Sequence, residues 1–313
     1  MKLDRFAKYC WGVLAYTILV ILWGAFVRAT GSGAGCGSHW PTCNGEVIPR
    51  APALETLIEY THRLSSGLLG FLVVGLLIWA FRRFPSAHPL RKGALWSLLF
   101  VIAEALIGAG IVKFEWVADN DSIARVITMA FHLVNTFFLL AAMTLTAWWA
   151  SGGGQVRLRG QGRVGLLLAV AMVSVLLLGA SGAVTALGDT LVLNSNVDPQ
   201  DSPVVASLVL LRFVHPMLAL ALLLLIMVTA RICASTSSDP QTRLWGRSMM
   251  VVYHFQLLVG VVNVFLQAPV WIQLVHLLLA DVLWILLVLT AASTLAVAAP
   301  ARARLGQAYA TGS

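Results

Sequence analysis

Eight stretches of about 20 mostly apolar residues run through this chain, at about 9–29, 62–81, 93–113, 125–149, 164–187, 208–230, 247–267 and 272–297. A helix that crosses a bilayer needs about 20 such residues. Backbone in hydrocarbon has no water to bond, so spans of this length are built as helices whose hydrogen bonds close internally. The expected fold is therefore all-α, a polytopic membrane protein with eight transmembrane helices. Composition agrees, because 59% of residues are apolar and 11% charged, against about a quarter charged in soluble proteins. Lys2, Arg5 and Lys8 precede the first stretch as they would a signal peptide. That stretch lacks a small-residue cleavage site and runs on into Arg28 and Thr30, so it reads as a retained helix.

Orientation follows from the cations, which short loops keep on the cytoplasmic side. Lys2, Arg5 and Lys8, then Arg82, Arg83, Arg91 and Lys92, then Arg157, Arg159 and Arg163, then Arg231, Arg243, Arg247, Arg302 and Arg304 fall on one side. They are fifteen of the 21 Lys and Arg. Both termini are expected in the cytoplasm of a multi-pass plasma-membrane protein. The net charge of +8 then calls for anionic lipid as partner, and no basic stripe with interleaved aromatics argues for nucleic acid. The opposite side collects Glu46, Glu55, Glu59, Glu115, Asp119, Asp121, Asp189, Asp198 and Asp201, read as residues of outer loops. Cys36 and Cys43, within CGSHWPTC, lie in the first of these. They are close enough to form a disulfide around a short turn in an oxidising compartment. A metal site using His39 with both thiols is the weaker reading, since four ligands are not in view.

The chain also repeats itself. Gly24-Ala25, Thr30 and Gly33 align with Gly179-Ala180, Thr185 and Gly188, and Glu104 to Gly108 aligns with Gln256 to Gly260. His62 corresponds to His215, and His132 to His276. All four histidines fall on even-numbered helices, so both halves enter the membrane from the same side, as two pseudo-symmetric four-helix bundles in a parallel repeat. The expected units are residues 1–150, a cytoplasmic linker at 151–163, and residues 164–313.

His62 and His132 lie near the outer ends of neighbouring helices, as do His215 and His276. Two imidazoles at one depth can grip a haem iron from opposite faces, and bundle cores commonly hold cofactors in this way. An isolated intramembrane histidine more often only bonds across helices, but four at repeat-equivalent positions favour ligation. Zinc and copper sites want three or four compact ligands. His39, His88 and His254 read as structural or interfacial.

The halves differ three residues before the ligand, where Glu59 stands in one and Arg212 in the other. A cation at the membrane edge suits a haem propionate, which makes Arg212 and Arg63 candidates. Glu59 suits a place where positive charge develops or a proton leaves; the plainer reading is a carboxylate at the positive end of a helix. Glu104 and Asp281 are deeper acids that read either as proton relays or as polar packing, and Asn135 lies one turn below His132.

The stretch GAFVRATGSGAGCGSHWPTC at 24–43, followed by Glu59-Tyr-Thr-His62-Arg63 and single histidines in helices four, six and eight, resembles the haem A synthase family of cytochrome oxidase assembly. The resemblance spans almost the whole chain. It implies oxidation of the carbon-8 methyl group of haem O to a formyl group by successive hydroxylations and loss of water. It further implies that His62 and His132 hold the substrate haem, that His215 and His276 hold a haem b cofactor, and that Glu59 serves the reaction. Cys36 and Cys43 match an outer-loop pair of the family. A haem O synthase, the prenyltransferase that makes the substrate, is the expected partner, and a homo-oligomer is admitted. The alternative is a di-haem b-type electron-transfer protein with no haem chemistry. A transporter or scaffold holding haem as a structural ligand is a second alternative, and a polyprenyl transferase is the weakest, because Asp198-Pro-Gln-Asp201 has no second acidic copy.

Overall fold

A computed structural model describes residues 3–157, 159–193, 195–237 and 239–296. Lys2, Arg302 and Arg304, counted above among the cytoplasmic cations, lie outside the described residues.

Eight long helices account for nearly all of it: α1 (Arg5–Ala29), α2 (Leu54–Arg83), α3 (Pro89–Lys113), α4 (Ile123–Ala150), α5 (Gly162–Leu193), α6 (Pro203–Thr236), α7 (Pro240–Phe265) and α8 (Val270–Leu295). All eight are long and apolar enough to cross a membrane, so the chain is an all-helical, multi-pass membrane protein. Their starts follow local chemistry. The side chains of Asp4, Ser122, Ser202 and Asp239 accept from backbone N–H groups of the first turn, and proline opens α3, α6 and α7, where its missing N–H costs nothing. Pro216, inside α6 and next to His215, removes one helical donor, leaving the Arg212 carbonyl without its usual partner.

The helices extend beyond the apolar stretches, and this corrects part of the loop reading. At 34 residues, α6 is about 50 Å long at 1.5 Å per residue, well beyond the roughly 30 Å hydrocarbon layer. Glu55 and Glu59 stand on α2, and Asp189 lies inside α5 rather than in a loop. Asp189 is buried and paired to Arg212, with Nε 2.5 Å from Oδ1, so an ion pair lets the helix continue where an unpaired charge would end it.

Sequential helices pack as neighbours, and the first four helices meet the last four where α4 packs on α5 and α8 and α1 packs on α8. From Leu283 to Ala292, α8 is buried throughout. Large apolar side chains such as Phe71, Phe213 and Phe265 face outward on other helices, the arrangement expected where lipid is the solvent. Matching tyrosines tie helices within the two halves: Tyr9 donates to the Leu72 carbonyl at 2.8 Å, and Tyr253 to the Ala219 carbonyl at 2.7 Å. Arg28 crosses between the halves, from α1 to the Ala186 carbonyl (2.7 Å) and Thr190 hydroxyl (2.5 Å) of α5 and to Gln273 Oε1 (2.9 Å) of α8.

The segment between α1 and α2 lies directly on α2. A Cβ at Gly35 would stand 2.5 Å from the Glu55 backbone, so only glycine permits this approach. Thr56 donates to the Gly35 carbonyl at 2.8 Å, and Cys36 and Cys43 are disulfide-bonded. The thiols therefore bind each other and not a metal with His39.

Candidate functional site

The four histidines of interest point into the bundle from α2, α4, α6 and α8. Counting from the start of α2, His62 lies about 12 Å along the helix, and His132 lies about 13–14 Å along α4. The imidazoles of His62 and His132 lie near each other, as do those of His215 and His276.

Small residues on the odd-numbered helices make room for the rings. A Cβ at Gly24 of α1 would stand 2.9 Å from His62 Cε1; at Gly182 of α5, 2.9 Å from His215 Cε1; at Gly260 of α7, 3.0 Å from His276 Cε1. Glycine is therefore the residue that lets these imidazoles lie against the neighbouring backbone. The repeat alignment is corrected by one helical turn here. Gly24 aligns with Gly179 in sequence, yet Gly179 packs on Phe137 and Leu133 of α4, and the glycine facing the histidine is Gly182. Three residues make nearly one turn, so a small-residue face preserves the alignment signal while hiding which glycine touches the ring.

The fourth histidine has a carboxylate beside it. Glu104 Oε2 of α3 lies 3.1 Å from His132 Nδ1, although that nitrogen makes no aligned hydrogen bond. Glu104 also accepts from Asn135 Nδ2 at 2.9 Å and from the Thr136 hydroxyl, and Asn135 donates to the Phe100 carbonyl at 3.0 Å. Asn135 thus belongs to the site, and Glu104 is its centre. In the second half Gln256 Nε2 lies 3.2 Å from His276 Nε2, and the Ser181 hydroxyl 2.9 Å from His215 Nδ1. The Nδ1 atoms of His62 and His276 are buried without a partner among the described residues.

Glu59 is buried and already engaged. It forms an ion pair with Arg63, one turn on, and accepts from the Cys36 backbone N–H at 2.8 Å. Arg63 also donates to the carbonyls of His39 and Thr42, each at 2.6 Å, so every nitrogen of its guanidinium is used. Arg212 binds Asp189 through Nε alone and keeps its two terminal nitrogens free of hydrogen bonds among the described residues. The inversion read from Glu59 and Arg212 is thus, in the structure, two neutral acid–arginine pairs at the same end of the bundle.

The remaining histidines do structural work. His88 caps α3 by accepting from the Leu90 N–H at 3.3 Å, His254 contacts the Met250 carbonyl from an exposed position, and His39 is exposed in the disulfide segment. Asp198 and Asp201 sit in one exposed turn, where Asp198 accepts from the Gln200 N–H at 2.8 Å. Among the described residues no three His, Cys, Asp or Glu side chains converge as a compact metal site.

Comparison with known proteins adds a family and a length. The family described as cytochrome oxidase assembly protein matches residues 7–288. A protein named protoheme IX farnesyltransferase from Thermus thermophilus is 52% identical over 296 residues, which are 93% of this chain and 49% of that protein. Proteins named heme A synthase, from Halalkalibacterium halodurans and Alkalihalophilus pseudofirmus, are 50% and 45% identical over 97 residues, 31% of this chain and 33% of each relative. The chain thus spans about half the length of the farnesyltransferase relative, and about a third of each heme A synthase aligns with it.

Proposed function

The chain belongs to the cytochrome oxidase assembly protein family, and from that premise we propose that it is a haem A synthase, oxidising the carbon-8 methyl of haem O to a formyl group. One observation carries the reading. Two pairs of inward-facing imidazoles occupy equivalent places in the two halves, with glycines clearing space against three of the four rings. The residues fit a haem: among the described residues the buried Nδ1 atoms of His62 and His276 lack partners, and imidazole is a common axial donor. The relatives named heme A synthase support the same reaction.

In this reading His62 and His132 hold the substrate and His215 and His276 a haem b. Bound there, haem b supplies a one-electron carrier. Arg212, with two nitrogens to spare, is the better partner for a propionate, while Arg63 is occupied in fixing Glu59 and the disulfide segment. Glu59 is proposed to serve the oxidation as an oriented carboxylate: Arg63 and the Cys36 N–H hold it, and Oε2 keeps capacity to accept a further proton. The buried ion pair and the segment over α2 also keep water from that end of the site. The loop bearing the disulfide is placed outside a plasma membrane, with both termini in the cytoplasm, in keeping with the cation distribution.

A haem O synthase is the proposed partner. The farnesyltransferase relative contains a segment like this chain in about half its length. Prenyl transfer needs paired acidic motifs around Mg²⁺ and diphosphate, whereas Asp198 and Asp201 share one exposed turn.

The test is the full chain expressed with a haem O synthase, followed by extraction of haems and mass spectrometry. Haem A, with a hydroxymethyl intermediate, is expected, and His62→Ala should abolish it. Recovery of protohaem and unmodified haem O alone overturns the proposal.

A further inference from the structure

The ligand histidines of α4 and α8 face repeat-equivalent positions that differ in charge. Position 104 on α3 is glutamate and its counterpart 256 on α7 is glutamine. Glu104 is held in place by Asn135 and Thr136, and its Oε2 lies 3.1 Å from His132 Nδ1. Among the described residues the side chains that meet the second-half histidines are neutral, the Gln256 amide at His276 Nε2 and the Ser181 hydroxyl at His215 Nδ1.

We infer that Glu104 is a positioning residue for His132, fixing its Nδ1–H tautomer and making it a stronger electron donor to iron than its counterpart His276. The inference rests on the reading of these histidines as haem ligands. The carboxylate is held by two side chains of α4 with Oε2 3.1 Å from His132 Nδ1, so it stands where it can accept from an Nδ1–H. The proton then sits on Nδ1, and Nε2 is the ring's one lone pair for a metal. An anionic acceptor on the nitrogen that does not bind the metal raises the basicity of a ligating imidazole. Gln256 instead meets His276 at Nε2 with its amide nitrogen, which donates; a carboxylate there would accept and leave Nδ1, which has no partner among the described residues, for the metal. The oxidised iron gains more than the reduced iron from a stronger donor, so the first site has the lower potential. Four identical ligands therefore give two unequal irons, and the inequality is set by the residue behind one of them.

The experiment is a spectroelectrochemical titration of the purified, haem-loaded full chain, with the two haems assigned by their loss in His62→Ala and His276→Ala. Glu104→Gln should raise the first-half potential by roughly tenfold in the redox equilibrium, about 59 mV for one electron, leaving the second-half haem unchanged. Gln256→Glu should lower the second-half potential by a similar factor. Glu104→Asp should restore part of the loss. Retained haems with unmoved potentials in both Glu104→Gln and Gln256→Glu overturn the inference while leaving the proposed function standing. Should Glu104→Gln fail to fold, an unmoved second-half potential in Gln256→Glu overturns it alone. If the unaltered chain binds haem in neither half, the proposed function fails first.

Discussion

Nε1 of Trp284 donates to the Phe137 carbonyl at 2.6 Å, and the two rings stack with centroids 5.2 Å apart. Both side chains are almost wholly buried where α8 meets α4, so one residue pair joins the two halves by a hydrogen bond and a ring contact together. Trp284→Phe, which removes the bond and part of the buried ring, should lower stability by about 1–2 kcal/mol. Trp284→Ala, which also opens a cavity, should cost roughly 3–5 kcal/mol. Thermal denaturation in detergent checks the order. If Trp284→Ala melts with the unaltered chain, the seam is held elsewhere.

Glu59 has a structural duty as well as its proposed chemical one, and substitutions separate them. Glu59→Ala removes the acceptor for the Cys36 N–H and strands the buried Arg63 charge, a loss of about 3–5 kcal/mol by analogy with broken buried pairs. Glu59→Gln keeps an acceptor for Cys36 and most of the shape, so it should fold better than the alanine variant. Both should retain haem and fail to complete the oxidation, with the hydroxymethyl intermediate seen by mass spectrometry. Normal haem A yield from Glu59→Gln would confine the residue to its structural role.

The eight helices were legible because hydrocarbon imposes a long apolar run on each of them, and the histidines were legible because an imidazole in such a run is rare. The helix ends were not. Asp189 reads as a loop acid, and Glu59 reads both as a loop acid and as a carboxylate at a helix start, since the partner that makes each tolerable inside a helix, Arg63 or Arg212, is identified only by the fold. Arg28 gave still less signal: its acceptors on α5 and α8 are over 150 residues away. Glu104 was visible as an acid in an apolar run, yet whether it relays a proton, packs, or orients His132 depends on the rotation of α3 against α4, which a repeat this weak leaves undetermined within a turn.

His88 caps α3 by accepting a backbone proton at Nδ1, which only the neutral ring can do. Its partial burial lowers its pKa from the ordinary 6.5. With the folded value below the unfolded one, protonation favours the unfolded chain, so stability from this cap is present above about pH 6.5 and is lost as pH falls through the lower folded value. His88→Asn, a good cap at every pH, should flatten that part of the stability profile. Identical acid slopes for the two proteins between about pH 5 and 7 would remove His88 from it.

Asp281 lies one turn before Trp284 on α8, is 0% exposed, and has no hydrogen-bond partner for either carboxyl oxygen among the described residues. Polar packing requires a partner, and without one a buried polar group costs about 1–3 kcal/mol. Truncating a core side chain normally costs about 2–5 kcal/mol, but here the lost contacts are offset by removal of the unpartnered group. Asp281→Ala should therefore be about as stable as the unaltered chain in detergent, unlike Leu283→Ala two residues on. A group kept at a stability cost points to use in function, so the same variant should form haem A more slowly despite its intact fold, and Asp281→Glu should recover more of the rate than Asp281→Asn. A strongly destabilised Asp281→Ala would instead identify a bound partner for the carboxyl, and an unchanged rate in a stable Asp281→Ala would exclude it from proton movement.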